Sequence, residues 1–359
     1  MSNNRRRSVL PLWFSLILVV ALTVTGVTVS LFAYLSAEAY LNRPINPLAE
    51  AAEQVAEVDL TPLPQVGTVV LPTPLPGEPT PTLIPTSAAA AEESDRINVL
   101  VLGIDRRPGE PFISRTDSMM IVSVDLEDKT ASILSIPRDL YVVIPGHGRD
   151  RINTAMVYGG RDGGDAAAGA LLAMRTVEYN LGVPLDHYFL VDFGAVIRGI
   201  DAIGGLDIYV PYEIYDPSYP DMGYGFDPLY IPAGQVHMDG ELALKYARTR
   251  HQDNDFFRAR RQQQVMLAIR DKLAGMGPVV LLRQAPGLYE RVNEGIFTDL
   301  SLADMLDLAR IGNDIESDDI RSEVLDQEYV TSYRTDAGAS VLVPINETIG
   351  PLIQELFYE

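Results

Sequence analysis

From residue 97 onward, short apolar runs alternate with amphipathic stretches, a pattern that predicts strands interleaved with helices. Residues 97–104 form an apolar run ending at a polar loop, as a buried strand does. Residues 119–124 and 130–136 read as two more strands, joined by the turn-like Leu126-Glu127-Asp128-Lys129. Helical patterning covers 153–159 and 166–181, the second stretch being stopped by Gly182-Val183-Pro184. Strands are expected at 187–193 and 206–210, separated by a helix over 194–203 that stops at Gly204-Gly205. Asp239 is expected to cap a helix running to about Arg248, and another helix to cover 258–273. Ser301 with Asp304 resembles a capping arrangement for a helix to Ile311. A strand at 340–343 and a helix at 346–357 close the chain. Strands alternating with helices predict the α/β class, as a three-layer α/β/α sandwich around a central mixed sheet. There is no internal repeat, helix-turn-helix pattern or glycine-rich phosphate loop.

The pattern is different before residue 96. Residues 10–35 carry no charge and are mostly aliphatic, and Arg5, Arg6 and Arg7 stand directly before them. About 20 apolar residues span a bilayer, so one N-terminal transmembrane helix is expected. The positive-inside rule puts residues 1–9 in the cytoplasm and the rest of the chain outside. A cleaved leader usually has a shorter apolar stretch, of about 7–15 residues. Residues 36–95 follow as a stalk and spacer, with runs such as Pro72-Thr73-Pro74-Leu75-Pro76 that favour extended polyproline conformations. The folded domain is therefore expected at 96–359, in a cell-membrane protein with its domain extracytoplasmic.

Charge narrows the choice of partner. The net charge is −21, which makes nucleic acid a poor partner for the molecule as a whole. With no cysteine there is no thiol nucleophile and no disulfide framework, and the four histidines show no zinc-ligand spacing. Yet every Lys or Arg from Arg248 through Gln264 is an arginine, in Arg248-Thr249-Arg250 and Arg258-Ala259-Arg260-Arg261. Solvated faces usually draw on both cations, whereas planar bidentate recognition of phosphate favours arginine. Arg258 and Gln262 share a helix face at i, i+4, so Arg260 and Arg261 cannot both lie on it.

Three further polar constellations flank predicted strands: Gly103-Ile104-Asp105-Arg106-Arg107, Ser114-Arg115-Thr116-Asp117 and Ser135-Ile136-Pro137-Arg138-Asp139. In open α/β sheets such loops commonly hold the ligand. Arg115 and Asp117 are two apart on an extended segment, so they are expected to face the same way. Two carboxylates suit Mg²⁺, which typically binds through one or two carboxylates plus substrate phosphates. Arginines would neutralise the remaining phosphate charge and a pyrophosphate leaving group.

These motifs, with Arg151-Ile152-Asn153, Gly204-Gly205-Leu206 and the stretch from His237 to Leu244, resemble the LytR–CpsA–Psr family in order and approximate spacing over residues 96–273. The resemblance implies a phosphotransferase that moves a glycopolymer from a polyprenyl-pyrophosphate carrier to a peptidoglycan hydroxyl, forming a phosphodiester, with Mg²⁺. It implies Asp105 and Asp117 as metal-associated acids, and Asp105 with Arg138 as catalytic. It further implies Arg107, Arg115, Arg138, Arg248, Arg250 and Arg258 as pyrophosphate-binding, with Asp255 and Gln262 as further pocket positions. Phe257 stands where relatives commonly have glycine, and Ser114 replaces another frequent glycine. Two alternatives stay open: hydrolysis of the same pyrophosphate substrate, or a non-catalytic polyprenyl-phosphate binding or regulatory role.

Overall fold

The computed structural model describes residues 96–106, 110–220, 225–250 and 254–359. The expected spanning helix at 10–35, the spacer at 36–95 and Arg107 lie outside the described residues. Among the described residues, no helix is long and apolar enough to cross a membrane.

The apolar runs become β1 (Arg96–Ile104), β2 (Thr116–Asp125) and β3 (Ala131–Ser135), an antiparallel meander with Leu102 opposite Met119 and Ile121 opposite Leu134. A hairpin of β4 (Tyr141–Ile144) and β5 (Gly148–Arg151) leads into α1 (Ala155–Gly163) and α2 (Ala166–Leu181). Next come β6 (His187–Asp192) and α3 (Phe193–Ala202). The strands β7 (Leu206–Val210), β8 (Ile214–Asp216), β9 (Leu229–Ile231) and β10 (Gly234–Met238) precede α4 (Gly240–Arg248) and α5 (Asp255–Met276). The remainder is α6 (Pro278–Val292), β11 (Ile296–Thr298), α7 (Leu302–Asp314), β12 (Ile320–Val324), β13 (Val330–Arg334), β14 (Ser340–Pro344) and α8 (Asn346–Phe357).

The central sheet runs β11-β6-β1-β2-β3-β12. It is mixed, because β6 joins β1 and β12 joins β3 in parallel while the other pairs are antiparallel. Leu100, Leu102, Ile104, Met119, Ile121 and Leu134 share one face and form a single buried core with Ala170, Ala173 and Val177 of α2 and Ile349 and Ile353 of α8. Ser135 lies on the opposite face, where Gln263 of α5 donates to its hydroxyl at 2.9 Å and to the Glu323 carbonyl at 2.7 Å. Helices thus pack on both faces of the sheet, as strands alternating with helices require. Arg96, at the start of β1, pairs with Asp125 at 3.1 Å and donates to the Leu356 carbonyl of α8.

A second core gathers Leu206, Ile208, Val210, Ile214, Leu229, Ile231, Tyr246 and Val265. The expected strand at 206–210 belongs here, paired with β10 in a two-stranded sheet apart from the central one. Two expected helices have different bounds. The first opens with a 3₁₀ turn at Ile152–Thr154 and runs on to Gly163. The other begins at Asp255, because the Asn254 side chain accepts from the Phe256 and Phe257 amides and starts the helix a turn early. The expected caps are present: Asp239 accepts from the Leu242 amide, and Ser301 with Asp304 completes a capping box.

Candidate functional site

Three of the expected site residues stand on the ends of the central strands. Asp105 follows β1 directly. Asp117 owes its direction to a bulge: Gly103 pairs with Ser118 but Ile104 with Thr116, so Asp117 is the extra residue with no partner in the ladder. The bulge also undoes the simple alternation, and Arg115 and Asp117 part company. Asp117 lines the main cavity, whereas Arg115 is exposed, off the cavity wall and close enough to Tyr158 to act on its hydroxyl electrostatically. Arg138 follows Ile136-Pro137 at the exit of β3, and its guanidinium meets Asp117 at 2.5 Å. Arg151 braces this corner through Asp139 at 3.1 Å and the Ser340 carbonyl at 2.9 Å.

The arginine block comes from the second core. A Cβ on Gly240 would lie 2.2 Å from the Ile197 carbonyl oxygen, so only glycine lets α4 butt against α3. The end of α4 carries Arg248, which pairs with Asp105 at 2.9 Å and lies 4.4 Å over the Phe193 ring. Beyond it the chain is held by side chains. The Thr249 hydroxyl donates to the buried Asp216 carboxylate at 2.7 Å, and the buried Arg261 donates to the carbonyls of Tyr246 and Thr249. The neighbouring Arg260 is half exposed and pairs with Asp326 at the surface. Of the two arginines off the Arg258 face, one is therefore a surface residue and the other a buried strut.

Arg258, on the first turn of α5, is only 6% exposed. Burial brings its pKa down to about 10, with Asp255 pulling the other way, so it stays charged at neutral pH. Its guanidinium meets Asp255 at 2.9 Å and donates to the Asp117 carbonyl at 3.1 Å, the carbonyl the bulge leaves outside the ladder. Its Nε is buried without a hydrogen-bond partner, as is that of Arg138. Such donors suit a ligand with many acceptor oxygens.

Asp105, Asp117, Arg138, Arg248, Arg250, Arg258 and Gln262 line one cavity of about 510 Å³. Asp255 faces a smaller adjoining pocket, with Asp117, Arg138, Arg258 and Gln262 shared between the two, and also pairs with Arg250 at 3.5 Å. The cavity thus has four arginines against three aspartates, in a chain whose overall charge is strongly negative. Asp216, Phe193, Ser218, Tyr219, Pro220 and Thr249 complete its wall without having been singled out in the sequence. Asp216 had no signal to find it by, since its neighbours Tyr215 and Pro217 look like an ordinary turn. Burial raises the Tyr219 pKa above its ordinary value, which keeps its hydroxyl neutral. Among the described residues, no three His, Asp or Glu side chains gather to hold a metal ion. The two strand-end carboxylates on the wall nevertheless fit the hard-oxygen, partial protein shell of Mg²⁺ completed by phosphate oxygens.

Known proteins resemble this chain in sequence and architecture. The chain is 33% identical over 213 residues to an Oceanobacillus iheyensis protein named polyisoprenyl-teichoic acid–peptidoglycan teichoic acid transferase TagU, covering 59% of this chain and 61% of the relative. It is 34% identical over 194 residues to a Staphylococcus aureus protein named Regulatory protein MsrR, covering 54% of each. The matches thus span less than two thirds of either relative. The crystal structure of B. subtilis TagV superposes with a TM-score of 0.58 at 27% identity, over 74% of this chain and 98% of that one. The LytR_cpsA_psr family model matches residues 77–352, and the chain belongs to that family.

Proposed function

We propose that this protein transfers a glycopolymer from a polyprenyl-pyrophosphate carrier to a peptidoglycan hydroxyl, leaving a phosphodiester. The observation that carries the reading is the cavity where Arg138, Arg248, Arg250 and Arg258 converge with two strand-end aspartates. A pyrophosphate diester carries two negative charges and many acceptor oxygens, which planar guanidinium groups match in pairs. The name of the TagU relative supports the same chemistry.

In the proposed reaction the acceptor hydroxyl attacks the sugar-linked phosphorus, and the bond from that phosphorus to the bridging oxygen breaks. The polyprenyl phosphate leaves with the bridging oxygen, its charge held by the arginines. Asp105 takes the proton from the attacking hydroxyl. Its pairing with Arg248 suits that role, because a phosphate drawing Arg248 away frees the carboxylate. Asp117 orients Arg138 from the neighbouring strand. Mg²⁺, held by Asp105 and Asp117 together with the phosphates, would supply further charge neutralisation. The protein is further proposed to sit outside the cytoplasmic membrane on an N-terminal anchor, a topology that protease treatment of intact spheroplasts tests by removing the domain.

The test of transfer is incubation of the full chain with a polyprenyl-pyrophosphate-linked saccharide and peptidoglycan oligomers, followed by mass analysis. Transfer gives an oligomer carrying the saccharide through a phosphodiester. Release of phosphorylated saccharide alone makes the protein a hydrolase instead. The name of the MsrR relative favours a second reading, a non-catalytic binding or regulatory role. Donor that is bound but never consumed would select it.

A further inference from the structure

Arg106 stands beside Asp105 in the chain but takes no part in the cavity wall. Its side chain is only 10% exposed, and that of its partner Asp192 only 6%. Its Nε and one terminal nitrogen donate to a single Asp192 oxygen, at 3.0 and 2.5 Å. The same terminal nitrogen reaches the Glu294 carbonyl and the other reaches the Glu110 carbonyl, each at 2.8 Å. The Phe112 ring lies 4.0 Å from the guanidinium. A Cβ on Gly295 would come within 2.4 Å of the second Asp192 oxygen, so the turn after α6 closes over the pair only with glycine there. Three separate stretches of chain thus meet on one guanidinium.

A buried ion pair is weak support for stability, because desolvation offsets its attraction. What this one fixes is the placement of two strand ends. Asp192 is the last residue of β6 and the ladder partner of Ile104 at the end of β1. Its second oxygen accepts from the Ala195 amide at 2.7 Å and caps α3. The first residue of α3 is Phe193, whose ring lies 4.4 Å under the Arg248 guanidinium. Arg248 in turn meets Asp105 at 2.9 Å, and Asp105 is joined by a peptide bond to Arg106. The contacts therefore close a ring, from Asp105 through Arg106, Asp192, Phe193 and Arg248 back to Asp105. Two cavity residues, one from each wall, are set against each other by a pair that lies outside the cavity.

We propose that Arg106 is a positioning residue, which locks the exit of β1 to the start of α3 and so holds Asp105 and Arg248 at the spacing the phosphate site requires. That the site takes pyrophosphate rests on the reading above; the linkage from Arg106 to Arg248 does not. The test is a double-mutant cycle on the full chain in detergent, with geranyl pyrophosphate as the probe in calorimetric titration. Arg106→Gln is expected to weaken binding about tenfold alone and less than about twofold beside Arg248→Ala, because its effect travels through Arg248. Arg106→Lys keeps the charge without the planar fork and should fall between Arg106→Gln and the unaltered protein. Equal losses in both backgrounds, or no loss in either, overturn the proposal, since a brace for the fold alone acts without regard to Arg248. Should Arg106→Gln not fold, adding Asp192→Asn removes the unpaired buried carboxylate and keeps a capping oxygen for α3, and the same cycle applies. Failure of that variant to fold as well makes Arg106 a structural brace and overturns the proposal. Hydrogen exchange reads the linkage with no ligand present. Arg106→Gln should speed exchange at 193–196 and 246–250 and leave α8 unchanged. Unchanged exchange at 246–250, or an equal rise in α8, overturns the proposal. If the unaltered protein binds no geranyl pyrophosphate, the pyrophosphate reading fails, and exchange alone decides the role of Arg106.

Discussion

The two walls of the cavity are built by different means. On the sheet side, Asp105, Asp117 and Arg138 sit at a bulge or just beyond the ends of strands in the middle of a six-stranded sheet, and ladder hydrogen bonds hold the strands that carry them. On the helical side, Arg248 and Arg250 sit where α4 ends, in a stretch held by the Arg261 guanidinium and the Thr249–Asp216 hydrogen bond. A wall fixed by a ladder has many redundant supports. A wall fixed by a few side chains has few, so a single substitution away from the cavity should move it.

The largest effect should come from the residue joining the two walls. Arg258 touches Asp117 on one side and Asp255 on the other, and Arg258→Ala is expected to weaken binding of a polyprenyl pyrophosphate roughly 100-fold, about 3 kcal/mol, by calorimetric titration. Arg258→Lys should recover only part of this, since an ammonium cannot bridge both partners in the same plane. A change of less than twofold in the alanine variant would remove Arg258 from the binding set.

Arg261→Met should come next. It leaves two buried carbonyls without their donor, so unfolding in denaturant is expected to show a loss of about 2–4 kcal/mol, with weaker donor binding alongside. Arg260→Ala, one residue away and half exposed, should stay within about 0.5 kcal/mol and bind as before. Equal effects from the two would contradict the difference between strut and surface.

A matched pair of hydroxyl deletions then separates the walls. Thr249→Val and Ser135→Ala each remove one buried hydrogen bond, and each is expected to cost about 1–2 kcal/mol of stability. Only the first should also lower donor affinity, because only Thr249 holds the arginine-bearing loop. The smallest effect concerns the sheet alone. The Asp299 carboxylate, 3.3 Å from the His187 ring, raises the His187 pKa, outweighing burial. Protonation therefore favours the folded state: the contribution is fully present below the unfolded value of about 6.5 and fades as pH rises through the raised one. The thermal midpoint should fall slightly from pH 6 to pH 8.5, a slope that His187→Gln flattens without changing donor affinity.

The core strands could be read in advance because their apolar runs are long and unbroken, as at 97–104 and 119–124. Around the second core, β7 could be read as well, but the other strands could not. β8 and β9 are three residues each, beside Pro217, Pro228 and Pro232, too short for a period to register. α6 was missed too, since Pro286 in its interior reads as a helix breaker. Most of the charged site residues could be found from motifs alone, but their roles depended on distant partners. Arg261 looked like Arg260 until the carbonyls it satisfies came into view. Asp117 and Arg115 looked like one face until the bulge separated them, and Asp216 depends on Thr249, 33 positions later.

β1 enters the domain at Arg96, pinned to Asp125 and to α8, and runs between β2 and β6 to end at Asp105. A pull on the chain just before Arg96 would act along the strand axis, so both flanking ladders would be loaded in shear and have to slip together. Arg96 is in this sense a mechanical anchor, and tension applied there is taken up at the end of β1 away from the candidate site.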